Sequence, residues 1–319
     1  MRLGPGTATL LVALACAPGA AAADRGRYVD VFAGTRAGAA DFGTGGGAGN
    51  TFPGATVPFG MVQWSPDTDP STENFSGGYS HGDSRIRGFS LTHLSGAGCA
   101  ALRDVPFLPT TAPVTRAPGR PGSSDVDPAY LASFSHADES ARPGAYLVRL
   151  GDGTEVELSA TERTGAGRFG FPAGGGSVLV NAGGSAMANR DAEVAIDPAR
   201  REVSGTVESG RFCYQRNSYR VHFAAEFSRP FAAHGAWRDQ TLMPGATSAS
   251  DHSDGALNYT PIPGGPPALP GNPSGTAQAG AYVTFDGPVE VRVGVSYVSV
   301  EAARANLAAE GRDLEAART

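Results

Sequence analysis

Between Tyr146 and Ala160 the chain spells out a β-hairpin, and a chain built from such units is confined to all-β architectures. Tyr146-Leu-Val-Arg-Leu150 runs into Gly151-Asp152-Gly153 and resumes as Thr154 to Ala160, where Val156, Leu158 and Ala160 alternate with Glu155, Glu157 and Ser159. A period of two places the apolar set on one face of a strand, and Gly-Asp-Gly tolerates the left-handed backbone of a tight turn. Similar short segments run from Ser177 to Asn181, Glu202 to Glu208, Tyr219 to Phe227, Ala281 to Phe285 and Val289 to Val298, divided by Gly, Pro or Asn. Spaced short strands without intervening amphipathic helices predict a large β-sandwich rather than βαβ units. With 45 glycines and 24 prolines in 319 residues, the composition favours turns over long helices.

Two stretches leave this pattern. From Met243 to Ala279 the order weakens, and Pro261-Ile-Pro-Gly-Gly-Pro-Pro-Ala-Leu-Pro270 offers too few backbone N–H groups to join a ladder, which predicts an exposed loop. After the last strand, Ser299 can cap a first helical turn, Glu301 sits at its positive end, Ala303 to Glu310 continue it and Gly311 stops it. A second helical stretch, Asp313 to Arg318, ends at Thr319 with no folding partner for its apolar side. Residues 299–319 therefore read as short linker helices that follow a sandwich of residues 24–298.

Residues 1–23 carry Arg2, the apolar run Ala8 to Ala17 and the small series Ala20 to Ala23 before Asp24. This is the pattern of a Sec-type secretory signal peptide, too short and wrongly flanked for a membrane span. Leu14-Ala15-Cys16 is loosely lipobox-like, but Ala13 stands where a larger aliphatic residue is usual. A formal charge of -6, with no basic run, gives nucleic acid nothing to bind. Beyond the signal, Cys99 and Cys213 remain. An oxidising compartment permits a bridge, but their spacing fixes no distance, so a disulfide and two buried thiols both stay open. Neither has a Cys or His neighbour at metal-ligand spacing.

The segment from Asn50 to Cys99 is the densest in polar, aromatic and glycine residues. Glycine and proline at this density fix turns, so Trp64, Phe75, Tyr79 and His93 could be presented from rigid loops. A pyranose has an apolar C–H face and a rim of hydroxyls, which aromatics beside hydroxyls and carboxylates suit. Trp64, in the alternating run Met61-Val-Gln-Trp, reads first as a packing anchor, and His93 between Thr92 and Leu94 as a hydrogen-bonded structural histidine. Asp67, Asp69 and Glu73, flanked by Pro66 and Pro70, read as a solvated turn rather than a calcium site or a carboxylate pair.

Val29-Asp-Val-Phe-Ala-Gly-Thr35, the stretch Asn50 to Thr68, the stretch Gly78 to Cys99 ending in Thr-His-Leu-Ser-Gly-Ala-Gly-Cys, and Asp104-Val-Pro-Phe-Leu-Pro109 together resemble the amino-terminal domain of glycoside hydrolase family 92. The similarity continues through Phe134-Ser-His136, Pro143-Gly-Ala-Tyr146 and Gly294 to Val300. The resemblance implies a galactose-mutarotase-like supersandwich that, in the family, packs on an (α/α)6 catalytic domain and helps an inverting, Ca2+-dependent α-mannosidase act on mannose-containing glycans. It places the acid, the base and most calcium ligands in that second domain, so no catalytic or metal residue is expected before Thr319. The sandwich loops are expected to shape the subsite for the leaving sugar, with Phe75, Ser76, Gly78, Tyr79 and His93 as candidates for substrate contact. A free-standing carbohydrate-binding or partner-docking module is the alternative. Thr164-Gly-Ala-Gly-Arg-Phe169 departs from the bulkier residues common in the family.

Overall fold

A computed structural model describes residues 26–36, 50–69, 76–118, 128–172, 174–212, 217–254 and 276–310. Among them 17 strands form two facing antiparallel ladders. The smaller contains β1 (Ala55–Thr56), β2 (Gln63–Asp69), β3 (Arg85–Ser90), β4 (Phe107–Thr110), β9 (Gly176–Asn181), β13 (Ala233–Arg238), β14 (Thr241–Pro244) and β16 (Ala279–Phe285). The larger contains β5 (Ala132–Arg142), β6 (Ala145–Leu150), β7 (Glu155–Ala160), β8 (Thr164–Gly170), β10 (Asn189–Asp197), β11 (Glu202–Gly210), β12 (Ser218–Phe227), β15 (Ser248–His252) and β17 (Val289–Ser296). Their orders are β14-β13-β16-β9-β4-β3-β2-β1 and β15-β10-β11-β12-β17-β8-β7-β6-β5. The start of β5 also pairs with β3, Arg85 facing Ser133 and Ile86 facing Ala132, so one strand serves both ladders.

The core lies between the ladders because each strand's apolar set points inward. Val289, Val291, Val293 and Val295 of β17 are buried, as are Val221, Phe223, Ala225 and Phe227 of β12, while Glu290 and Arg292 face out. Opposite them stand Trp64, Phe89, Phe107, Val178, Val180, Val283 and Phe285. Trp64 is the anchor its sequence context suggested. Its indole lies over β8, where Cβ atoms added to Gly165 and Gly167 would come within 2.7 and 2.8 Å of the ring. Gly165 and Gly167 thus make room for Trp64. A second cluster, built on Leu108, Tyr130, Leu179, Trp237 and Tyr282, packs on the smaller ladder.

The Tyr146–Ala160 hairpin forms as β6 and β7; four of the five other segments fall within β9, β11, β12 and β16, and the fifth forms β17, which stops at Ser296, two residues short of Val298. Three expectations are corrected. The stretch after Met243 is not wholly irregular: β14 ends within it and β15 lies inside it, though Ser-Ala-Ser-Asp-His has no apolar alternation to announce a strand. Residues 261–270 lie outside the described residues. Asp67 and Asp69 belong to β2 rather than to a solvated turn. Pro66 and a register shift at Asp67/Thr68 are accommodated within the strand, and the carboxylates meet arginines instead of water. Glu73 lies outside the described residues.

The third correction concerns the helix after Ser299. Helix α1 (Val300–Glu310) begins as expected, Ala302 N donating to Ser299 Oγ at 3.1 Å, but it is docked on the larger sheet. Ala303 and Leu307 are buried, Arg304 pairs with Glu202 at 2.7 Å and Asn306 donates to Val295 O at 2.8 Å. Glu310 closes the far end on Thr161 and Arg163. The approach requires Gly294, where a Cβ would collide with the carbonyl oxygen of Ala303. Residues 311–319 lie outside the described residues. Replacing Leu307 by Ala empties the seam and is expected to cost about 2–5 kcal/mol in urea unfolding. A change under ~0.5 kcal/mol, the size of an ordinary surface substitution, would mean that α1 is not bound to the sheet in solution.

Cys99 is disulfide-bonded, which decides against two free thiols; the chain's other cysteines, Cys16 and Cys213, lie outside the described residues.

Candidate functional site

Loops 50–54, 76–84 and 91–105 crowd around β2, and their shared support is a buried charge cluster. Asp67 is 2% exposed and lies between Arg103 Nε at 2.7 Å and His93 Nε2 at 3.3 Å, with Ser90 Oγ donating to its other oxygen. Burial drives this carboxyl upward, but Arg103, His93 and Ser90 outweigh it and hold it below the ordinary carboxylate range. His93 Nδ1 donates to Gln63 O at 2.7 Å, and its ring packs on Phe52.

Arg103 reaches Asp67 through an unusual backbone. Leu102, Arg103 and Val105 all have positive φ, at 57°, 59° and 52°, and for a β-branched valine this is a true outlier. Hydrogen bonds hold the strained run: Arg103 N to Thr92 O at 2.8 Å, Leu91 N to Asp104 O at 2.9 Å and Ala186 N to Leu102 O at 2.8 Å. Between the outliers Asp104 is buried among hydroxyls, accepting from Thr92 at 2.6 Å, Ser185 at 2.5 Å and Tyr219 at 3.1 Å. Burial prevails there, and its carboxyl is raised.

Four of the five residues expected to touch sugar, Ser76, Gly78, Tyr79 and His93, lie among the described residues and make contacts that tie the loops together. Ser76 Oγ donates to Leu94 O at 2.8 Å and Ala97 O at 3.1 Å, joining two loops. Gly78, at φ 72°, accepts from Thr68 N at 2.8 Å; a Cβ there would collide with Asp67 Oδ1 and sit 2.9 Å from the His93 ring. Tyr79 and His93 are 2% and 3% exposed, and Tyr79 OH donates to Glu139 Oε1 at 2.6 Å. Ser76, Gly78, Tyr79 and His93 are thus brought together, but all four are buried. Phe75 lies outside the described residues. The side chains that do reach solvent here include Leu94 and the partly exposed His81 and His136; Phe59, fully exposed at φ 62°, stands on the separate 57–62 turn, which is bonded to Glu162 O.

Residue-by-residue reading missed the roles of Arg103, Glu139 and His81. Glu139 accepts from Tyr79, from Tyr146 at 2.7 Å and from His136 at 2.5 Å. Only His136, three positions before Glu139 on β5, is local to it; Tyr79 comes from loop 76–84 and Tyr146 from β6, so no single stretch of sequence announces the group. Among the described residues no group of three or more His, Cys, Asp and Glu is arranged to hold a metal. A cleft of about 390 Å³ on the outer face of the larger sheet is lined by Arg200, Glu226, Glu290 and Arg292 and shares no lining residue with these loops.

Residues 28–296 match the family model described as the glycosyl hydrolase family 92 N-terminal domain. A protein of Arthroderma benhamiae described as an uncharacterized secreted glycosidase is 31% identical over 156 residues, 46% of this chain and 17% of that protein. A solved glycosyl hydrolase of family 92 superposes with a TM-score of 0.72 at 29% identity, covering 92% of this chain and 35% of its own. A family 92 α-mannosidase from Bacteroides thetaiotaomicron does so with 0.71 at 26%, covering 92% and 36%. The chain therefore spans about a third of these solved relatives and less of the curated one.

Proposed function

Because the chain belongs to glycosyl hydrolase family 92 through its N-terminal domain, we propose that it is the substrate-shaping sandwich of a secreted, inverting α-mannosidase acting on mannose-containing glycans. The observation that carries this reading is the Asp67–His93–Arg103 cluster beneath three converging loops. A buried ion pair with further hydrogen bonds fixes loop geometry, and loops fixed before ligand arrives bind without an ordering cost. In this reading Ser76, Gly78, Tyr79 and His93 act from below, by holding the 76–84 loop in place, and Phe75 remains a candidate for contact with sugar. The exposed Phe59 and Leu94 face a second, (α/α)6 domain, supplied in cis or as a separate chain.

That domain supplies the chemistry. Inversion takes one carboxylic acid for the leaving oxygen and one carboxylate for water on the opposite face. The buried carboxylates around these loops are committed elsewhere: Asp67 to Arg103, Asp69 to Arg85 and Arg87, Asp83 to Thr68, Asp104 to the hydroxyls of Thr92, Ser185 and Tyr219, and Glu139 to two tyrosines and His136. They fit neither role, nor a calcium site. Calcium, which grips vicinal hydroxyls when bound, is assigned to the second domain. Residues 1–23 direct secretion, and no helix among the described residues is long and apolar enough to cross a membrane.

The purified chain is expected to release no mannose from α-mannosides, with or without Ca2+. Sustained release abolished by EDTA would overturn the division of labour. Calorimetry with millimolar methyl α-mannoside separates the alternative: heat without a second domain supports a free-standing carbohydrate-binding module.

A further inference from the structure

We propose that His81 is a positioning residue, latching loop 76–84 to the turn at residues 29–36 only while its imidazole is neutral. Arginine has donors and no acceptor, so the 2.8 Å contact between Arg36 Nη2 and His81 Nε2 makes Nε2 the acceptor and puts the ring proton on Nδ1. The same residue ties the backbones together, His81 N donating to Thr35 O at 2.9 Å. Its ring stacks on His136, with centroids 3.8 Å apart and planes 12° apart, and meets the edge of Phe32. His136 in turn donates through Nδ1 to the buried Glu139 on β5. Turn, loop and strand meet at one imidazole.

A proton on Nε2 takes the lone pair that Arg36 uses and sets a cation against the Arg36 guanidinium and under His136. Glu139 is the opposing charge, and it already accepts from Tyr79, Tyr146 and His136. Asp83, on the same loop, accepts from Thr68 at 2.6 Å, and Asp30, in the turn, accepts from Phe32 N at 2.9 Å. Burial, His136 and Arg36, in that order, hold His81 below the ordinary histidine range against the pull of Glu139. The latched form is therefore the less protonated one. It is at full strength above the ordinary histidine value of about 6.5 and weakens as pH falls from there toward the lowered value. Release at His81 frees one side of the loop, while Gly78 O remains on Thr68 N beside Asp67 and His93. The inference rests on the proposed role of the loop only for its consequence for sugar; its test reads the backbone, so the two can fail separately.

Amide exchange of the full chain, corrected for intrinsic rates, is compared at pH 7.5 and 5.0. The amides of His81 and Thr35 are expected to lose at least about tenfold protection at the lower pH while those of β12 and β17 do not, a loss of ~1.4 kcal/mol or more in local opening. His81→Gln keeps an acceptor for Arg36 and cannot titrate, so its protection at the two pH values is expected to agree. NMR titration of His81 in the unmodified chain gives a second measure, with a midpoint expected to follow the loop opening. Protection that is unchanged with pH, a glutamine variant that still responds, or a His81 midpoint unrelated to opening overturns the proposal.

Discussion

Asp67→Ala is expected to lower the free energy of unfolding by about 3–5 kcal/mol, because it takes the carboxylate away from a buried guanidinium. Asp67 and Arg103 are both almost fully inside, with side-chain exposures of 3% and 8%, so water cannot replace the lost charge. The substitution also leaves the Ser90 hydroxyl and His93 Nε2 facing a void. Asp67→Asn keeps the shape and an acceptor for Ser90 but loses the charge, and a smaller cost is expected. The same pair of variants checks pH dependence. A carboxyl held below its unfolded value of about 3.9 adds stability that is present above that pH and lost as pH falls through the lowered value. The asparagine variant should therefore lose stability at neutral pH and converge with the parent in acid. Urea midpoints at pH 7 and pH 3 measure both effects, and equal midpoints at pH 7 would show that the remaining contacts of Arg103 suffice to hold it.

Trp64 and the glycines beneath it give the second large effect. Trp64→Ala removes the largest side chain of the core between the two ladders and is expected to cost about 3–5 kcal/mol. Gly167→Val approaches the seam from the other side, since its Cβ would lie 2.8 Å from Trp64 Cη2 and 3.3 Å from Val291 Cγ1. Overpacking of this kind costs about 1–3 kcal/mol. The two changes are expected to be strongly non-additive: in a chain already carrying Trp64→Leu, Gly167→Val fills space instead of invading it. A coupling energy above ~0.5 kcal/mol in a double-mutant cycle is the expected reading, and additivity would separate Trp64 from β8.

The hairpin at Tyr146–Ala160 was legible because period, turn residues and charge all agree along one short stretch. Trp64 was legible for a similar reason. β2 beyond Trp64 was not, since Ser-Pro-Asp-Thr-Asp has the local chemistry of a turn; it is a strand through its ladder with β3, and Arg85, Arg87 and Arg103 take up its carboxylates. The docking of α1 was equally hidden. Its apolar contribution is little more than Ala303 and Leu307, and the feature that admits it, Gly294, belongs to another element. Of the candidate site, the aromatic and glycine content of 76–93 pointed to the right loops. His93, between Thr92 and Leu94, read as a hydrogen-bonded structural histidine and is one, whereas nothing local marked Tyr79 as buried, because its partner Glu139 lies 60 positions away.

The strand shared by the two ladders laces the sheets together at one corner. Where β5 runs from β3 to β6, a force on one sheet passes to the other through backbone hydrogen bonds, so the sheets cannot slide past each other there. At the opposite corner β14 and β15 each pair with a single neighbour among the described residues, and a cavity of about 530 Å³ opens beside Arg238, Met243 and Ser248. Residues 245–247 carry the chain straight from β14 to β15, and Asp251 of β15 accepts from Gln278 N beside β16 at 2.8 Å, so the sheets are laced at this end too, like a sleeve sewn along both seams.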